Sequence, residues 1–236
     1  MNISRSTSGQ AARRWTCVLV AGLLLPATFA VRAQPAQTRA AAPAAAAPVF
    51  AEQFASRAQL EALRGGGFVL YMRHGNTDNS RADQVPVKLD DCSTQRVLNE
   101  EGRVLARQVG EALRRARVPI GEVVHSPLCR ARETAELAFP DLPRRSEKLL
   151  MYTANLSRAQ KRPVLETTRR LLSEPVPAGS NRMVVAHAPN MADLIGYYVK
   201  PEGTVLILLP QGDGRFEYLA SIPPARWPLL LGDAAQ

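Results

Sequence analysis

Two arginines and two histidines, carried by three short segments, give this sequence a set of side chains suited to a phosphate dianion. The segments are Arg73-His74-Gly75, Ser126-Pro127-Leu128-Cys129-Arg130 and His187-Ala188-Pro189-Asn190. Phosphoryl transfer needs positive charge around the equatorial oxygens of phosphorus. An arginine fork grips two of those oxygens at once. A neutral imidazole can attack phosphorus and hold the group covalently, and neighbouring guanidinium charges disfavour its protonated form. Gly75 would let backbone and substrate approach closely. Three cationic groups and a helix end can replace a metal at such a site. No metal and no cofactor are therefore expected.

Each segment follows an apolar run of strand character: Phe68–Met72 (FVLYM), Gly121–His125 (GEVVH) and Arg182–Ala186 (RMVVA). Continuous apolar runs suit strands buried on both faces. The carboxyl ends of such strands are where open α/β sheets bind ligands. If the three strands are neighbours, the four side chains share one crevice. Between them the spacing predicts helices. One runs from Ala51 to Leu63 and stops at Gly65–Gly67. A second is capped by Asn99 and runs to about Arg117, with Val104, Leu105, Val109 and Leu113 as its apolar stripe. A third begins with Ser126 as N-cap and Pro127 as first helical residue and runs to about Phe139, which puts Arg130 in its first turn, where free backbone N–H groups favour an anion. A fourth lies within 158–173, broken near Pro163, and a fifth covers Pro189–Tyr198. Thr204–Leu209 and Phe216–Ile222 form a terminal hairpin about Gly212-Asp213-Gly214. Strands alternating with helices predict a three-layer α/β fold, a mostly parallel central sheet with helices on both faces.

The 236 residues carry a formal charge of +9. Residues 1–33 have the order of an export signal: Arg5, Arg13 and Arg14, an apolar run from Trp15 to Leu25, then small-residue cleavage patterns ending at Ala30 and Ala33. That run is shorter than a membrane span and is interrupted by Pro26. No stable span is expected once the signal is removed, and the expected location is periplasmic or secreted. Residues 1–33 contain four arginines and no acid, so the remaining chain falls to +5. This residual basicity suits an anionic substrate. No run of interleaved arginines and aromatics argues for nucleic acid. Residues 34–48 are Ala- and Pro-rich and read as a linker, and 49–236 as one domain. Beyond the signal two cysteines remain, Cys92 and Cys129, an even count that permits one disulfide in an exported chain. Two separate buried thiols, or a reactive thiolate at Cys129, are the other readings.

The three blocks, YMRHGNTD, SPLCRARETA and VVAHAPN, together with the intervening LNEEGRVLARQVGEAL, resemble the histidine phosphatase superfamily, also called phosphoglycerate-mutase-like, over about residues 68–210. The resemblance implies His74 as nucleophile, Arg73 and Arg130 as phosphate clamps and His187 as the second imidazole. Gly75, Asn76, Thr77 and Arg96 are the candidate substrate contacts, although an exposed loop arginine is the commoner role for Arg96. The signal, with LDDCSTQRVLNEEG and SPLCR, is similar to exported members of the superfamily, among them phosphatases of the lipopolysaccharide core. The expected activity is phosphomonoester hydrolysis of a small phosphorylated substrate or a phosphorylated glycan or lipid head group. A sugar-phosphate mutase and a non-catalytic phosphate-ligand domain are the alternatives.

The sequence departs from the family pattern at the acid that protonates the leaving oxygen. Ala188 follows His187, and LLMYTANLS after the second block holds no acid. Glu147, Asp78, Asp91 and Glu202 remain as candidates, with nothing in the sequence to choose among them. His125 reads as structural. Gly65–Gly67 precedes its strand and lacks the Gly-Lys-Ser/Thr ending of a phosphate loop, and no GxSxG elbow occurs.

Overall fold

The computed structural model describes residues 50–233. The signal and the whole linker lie outside them, within residues 1–49, as do 234–236. Six helices and six strands are described: α1 Arg57–Ala62, β1 Val69–Arg73, α2 Glu100–Arg115, β2 Ile120–His125, α3 Cys129–Ala138, β3 Arg144–Ser146, α4 Arg158–Ser173, β4 Asn181–Ala186, α5 Ala188–Ile195, β5 Val205–Pro210, β6 Phe216–Ile222 and α6 Trp227–Leu231. The strands form one sheet in the order β3-β2-β4-β1-β5-β6. β3, β2, β4 and β1 run parallel, and β5 and β6 close the sheet antiparallel. No helix among the described residues is long and apolar enough to cross a membrane.

Alternation along β1 splits the core in two. Leu70 and Met72 join Val123, Met183 and Val185 on one face, packed by Val109 and Leu113 of α2 and Ala131 and Ala135 of α3. Val69 and Tyr71 join Val184 and Ala186 on the other, packed by Leu171 and Leu172 of α4 and Met191 of α5. The period of two in a strand sends successive side chains to opposite faces, so helices must cover both. The domain is thus a three-layer α/β fold with a mostly parallel sheet.

Several elements differ from the sequence reading. α1 starts at Arg57, not Ala51, because Ser56 caps it in a capping box with Gln59, while Gln53–Ala55 run extended beside β6. In α2 the Asn99 cap is as expected, accepting from the Gly102 backbone. Its buried stripe is Gly102, Ala106, Val109, Gly110 and Leu113, and Val104 faces solvent. α4 runs unbroken through Pro163. The proline removes one backbone bond, but a capping box at Ser157 and the burial of Val164, Thr168, Leu171 and Leu172 carry the helix past it. α5 stops at Ile195 because the chain turns left-handed at Gly196, φ 74°. β3 and α6 gave no sequence signal: β3 is an exposed Arg-Arg-Ser edge.

α3 begins two residues later than expected, with Leu128 as N-cap and no side-chain cap. The hydroxyl of Ser126 accepts from the Leu128 N–H at 3.3 Å, ahead of the first turn, and makes its shorter bond to His187 at 2.7 Å.

Candidate active site

Strand order creates the crevice. β4 lies between β2 and β1, parallel to both, with Ala186 opposite Arg73 and Val185 opposite His125. The three carboxyl ends are therefore adjacent, and His74 and His187 emerge side by side with ring centroids 5.3 Å apart.

His74 is nearly fully buried. Its backbone N–H donates to the carbonyl of Ala186 at 3.1 Å. Its ring Nδ1 lies 2.8 Å from the carbonyl oxygen of Gly75. A carbonyl only accepts, so Nδ1 carries the proton and, in the neutral ring, Nε2 carries the free lone pair. Burial and then the Arg130 guanidinium hold this imidazole well below its usual titration range, against the opposing Gly75 carbonyl and with smaller help from Arg73 and Arg96. A neutral imidazole with an unprotonated Nε2 is the form that attacks phosphorus.

The loop that carries His74 is bolted to the helices below it. The Gly75 N–H donates to Thr134 Oγ1 at 3.0 Å, and that hydroxyl donates to the Arg130 carbonyl at 2.7 Å. A Cβ on Gly75 would stand 2.5 Å from the Gly102 carbonyl oxygen, and one on Gly102 2.0 Å from that of Asn76. The glycine at 75 thus admits the backbone of α2, the close backbone approach expected of it. Asn76 accepts from the Asn99 N–H through its carbonyl, and buried Thr77 bridges to Leu98.

Arg130 is fully buried, extended from the first turn of α3. Nη1 donates to Asp83 at 3.0 Å and to the Arg96 carbonyl at 3.4 Å. Nε and Nη2 have no partner. These two nitrogens form the side-on edge that grips two oxygens of a phosphate, and a buried unmet donor pair is costly unless an anion fills it. The guanidinium lies over the Tyr152 ring, 5.4 Å from its centroid.

His187 is fully buried, with Nε2 2.7 Å from Ser126 Oγ and Nδ1 without a partner. Burial, then Arg130 and His74, keep it well below its usual range. Tyr152 stands edge-on to it at 5.6 Å. Arg73 donates through Nη1 to the Val199 carbonyl at 2.8 Å and pairs through Nη2 with Glu202, and its Nε is buried without a partner. Arg96 bonds Asn79 and lines a cavity of about 270 Å³ with Arg81, Asp83, Tyr152 and Asn155.

The expected acids lie otherwise engaged. Asp78 binds Ser80, and Asp91 binds Ser93 at the start of a 3-10 turn, Cys92–Thr94. Glu147 lies between Arg145 and Arg170, and Glu202 is taken by Arg73. Asp83, which the sequence reading passed over, touches the clamp itself. Ser126, Tyr71 and Tyr152 were missed as well. Their signal lies in three-dimensional contact and not in spacing. Cys92 and Cys129 are joined by a disulfide, Cα–Cα 5.8 Å, which ties the loop holding Asp83 and Arg96 to the first turn of α3. Among the described residues no cluster of three metal-ligating side chains occurs.

A three-layer α/β domain with paired imidazoles and a buried arginine fork at the carboxyl edge of its sheet has the features of a phosphate site. The sequence model of the histidine phosphatase superfamily (branch 1) matches residues 69–151, a span that includes His74 and Arg130. The superfamily that the Arg73-His74-Gly75 block resembles is thus the one whose model matches residues 69–151. No curated protein matches it. Similar solved structures include the protein histidine phosphatase SixA complexed with tungstate, 18% identical over 67% of this chain and 98% of that one, TM-score 0.48. SixA from Agrobacterium tumefaciens is 20% identical over 67% and 99%, TM-score 0.47. The alpha-ribazole phosphatase from Shigella flexneri is 16% identical over 66% and 96%, TM-score 0.48.

Proposed function

We propose that this protein is an exported phosphomonoesterase that works through a phosphohistidine on His74. One observation carries the reading: a buried, neutral His74 with its lone pair on Nε2 lies in the field of Arg130, whose Nε–Nη2 edge is unpartnered. The substrate phosphate docks on that edge, with Arg73 and His187 adding donors around the equatorial oxygens. Nε2 attacks phosphorus in line, the ester oxygen departs, and water then attacks the phosphohistidine to release phosphate. Ser126 orients His187 throughout.

The small polar cavity beside Arg130 supports a small phosphorylated substrate or a phosphorylated head group. Export is supported by the basic and apolar order of residues 1–33 and by the Cys92–Cys129 bond, a feature of oxidising compartments. The test is turnover of an aryl phosphate by purified protein, with rapid-quench trapping of an acid-labile phosphoenzyme. Both vanish in His74→Ala. A folded His74→Ala protein with undiminished turnover removes the mechanism. Cell fractionation, with the N-terminus read by mass spectrometry, tests export separately.

A further inference from the structure

On the reading that this site hydrolyses phosphomonoesters, we propose that Asp83 is the acid that protonates the leaving oxygen and then the base that activates water. Its carboxylate is anchored by one oxygen only: Oδ1 accepts from the Arg96 N–H at 2.9 Å and from Arg130 Nη1 at 3.0 Å. Both bonds are made by Oδ1, which fixes the side chain and leaves Oδ2 for a proton and for substrate. Asp83 lies on one side of the Arg130 guanidinium, at Nη1, while the Nε–Nη2 edge stays free for the phosphoryl oxygens. Carboxyl and phosphate thus share one planar cation on neighbouring edges. The same carboxylate lines the cavity bounded by Asn79, Arg81, Arg96, Tyr152 and Asn155. Tyr152 is the wall between that cavity and the phosphate site, because its ring meets both Arg130 and His187. A leaving group seated there would carry its ester oxygen past Asp83.

None of the four acids expected from the sequence occupies such a place. Glu202 is paired to Arg73, Glu147 to Arg145 and Arg170, and Asp78 and Asp91 brace their own turns. Asp83 is also only partly exposed, at 17% of its side chain, as a group that delivers protons inside a cleft should be.

The step balances. Nε2 of His74 forms the P–N bond as the P–O ester bond breaks, and the released electron pair takes the proton from the Asp83 carboxyl, leaving an alcohol. In the second half the Asp83 carboxylate takes a proton from water while the water oxygen attacks phosphorus. The P–N electron pair returns to Nε2, and the carboxyl is restored.

Leaving-group dependence tests this. Dinitrophenolate departs without a proton, whereas an alkoxide needs one. The quantity compared is kcat/KM for glycerol 2-phosphate relative to 2,4-dinitrophenyl phosphate, which reads steps up to the phosphoenzyme. In Asp83→Asn that ratio should fall by about 100-fold or more, the usual range for general acid catalysis. The variant should still release a burst of one dinitrophenolate per site, because the phosphoenzyme forms and its hydrolysis is slowed. Asp83→Glu, which keeps an acid, should keep the ratio within about tenfold of wild type. Equal loss on both esters in Asp83→Asn would mean that Asp83 only orients Arg130, and overturns the assignment. So does a ratio in Asp83→Glu as low as that in Asp83→Asn. A wild-type protein that hydrolyses neither ester instead brings down the phosphatase reading, and the assignment with it.

Discussion

The hydroxyl of Tyr71 on β1 holds both main-chain polar groups of His187, the residue just past β4, donating to its carbonyl oxygen at 2.7 Å and accepting from its N–H at 3.1 Å. One side chain on the strand of the first histidine therefore sets where the second one leaves the sheet. Burial pushes the phenol well above its usual range, so it stays protonated and can donate at any working pH. Tyr71→Phe strands the buried His187 N–H and removes one of the donors to its carbonyl, which keeps the Asn190 N–H at 3.3 Å; this should cost about 1–3 kcal/mol. A lower urea midpoint together with a lower kcat at unchanged KM is the expected result. Loss of stability alone would show that His187 keeps its place without the clamp.

Replacing Arg130 by lysine should keep the charge and lose the fork. The Nε–Nη2 edge cannot be rebuilt by an ammonium, and the ion pair with Asp83 would be made at a different place. A fall in kcat/KM of at least about tenfold, or 1.4 kcal/mol, is expected, and phosphate should weaken as a competitive inhibitor. A lysine variant with wild-type kcat/KM would mean that Arg130 supplies only field and not geometry.

The two site histidines make the fold sensitive to acid. Both are buried and stay neutral well below the usual imidazole range, whereas in the unfolded chain they titrate near 6.5. Below about pH 6.5 the unfolded state binds the extra protons, so stability falls as pH falls. Each imidazole that remains neutral in the fold contributes a loss of about 1.4 kcal/mol per pH unit in that range, and above it the effect is gone. Urea midpoints measured from pH 8 to pH 5 should be flat at first and then decline, less steeply in His187→Gln. The hydrolytic rate should not fall at pH 6.5, because the nucleophile is still unprotonated there.

Breaking the Cys92–Cys129 bond, which closes a loop of 37 residues, should cost about 4 kcal/mol by chain entropy. A Cys92→Ser, Cys129→Ser double variant should therefore unfold at lower urea. It should also bind phosphate less tightly, since the loop would be tied to the helix only by hydrogen bonds, from the Cys129 N–H to Gln95 Oε1 at 2.8 Å and from Arg130 to Asp83 and the Arg96 carbonyl. An unchanged midpoint would mean that the loop is held by other contacts.

Much of this was legible in the residues. FVLYM, GEVVH and RMVVA declared their strands because burial on both faces leaves a continuous apolar run, and the Asn99 cap followed from side-chain chemistry within four residues. The two arginines and two histidines could be placed at strand ends, but their meeting depends on β4 inserting between β2 and β1, which no local pattern encodes. Asp83 was invisible for the same reason. It sits in a loop 47 positions from Arg130, and nothing near it distinguishes it from Asp78 or Asp91. Ser126 misled in the opposite way: a serine before proline resembles a helix cap, yet its hydroxyl reaches only the Leu128 N–H, outside the first turn of α3, and bonds a buried imidazole more closely.

The extended stretch at Gln53–Ala55 has a consequence for solubility. Ala55 N–H donates to the Ser221 carbonyl at 2.9 Å, and Ser221 N–H to that of Gln53 at 2.7 Å. These residues cover β6, the last strand of the sheet, at Ser221 near its end, while the other margin, β3, is three residues long and carries Arg144 and Arg145. Both margins are thereby obstructed against pairing with another molecule, one by cover at Ser221 and one by shortness and charge. A chain trimmed to begin at Ser56 would keep every residue of the phosphate site and uncover the margin at β6. Such a chain is expected to self-associate through that strand, at a rate that rises with its concentration.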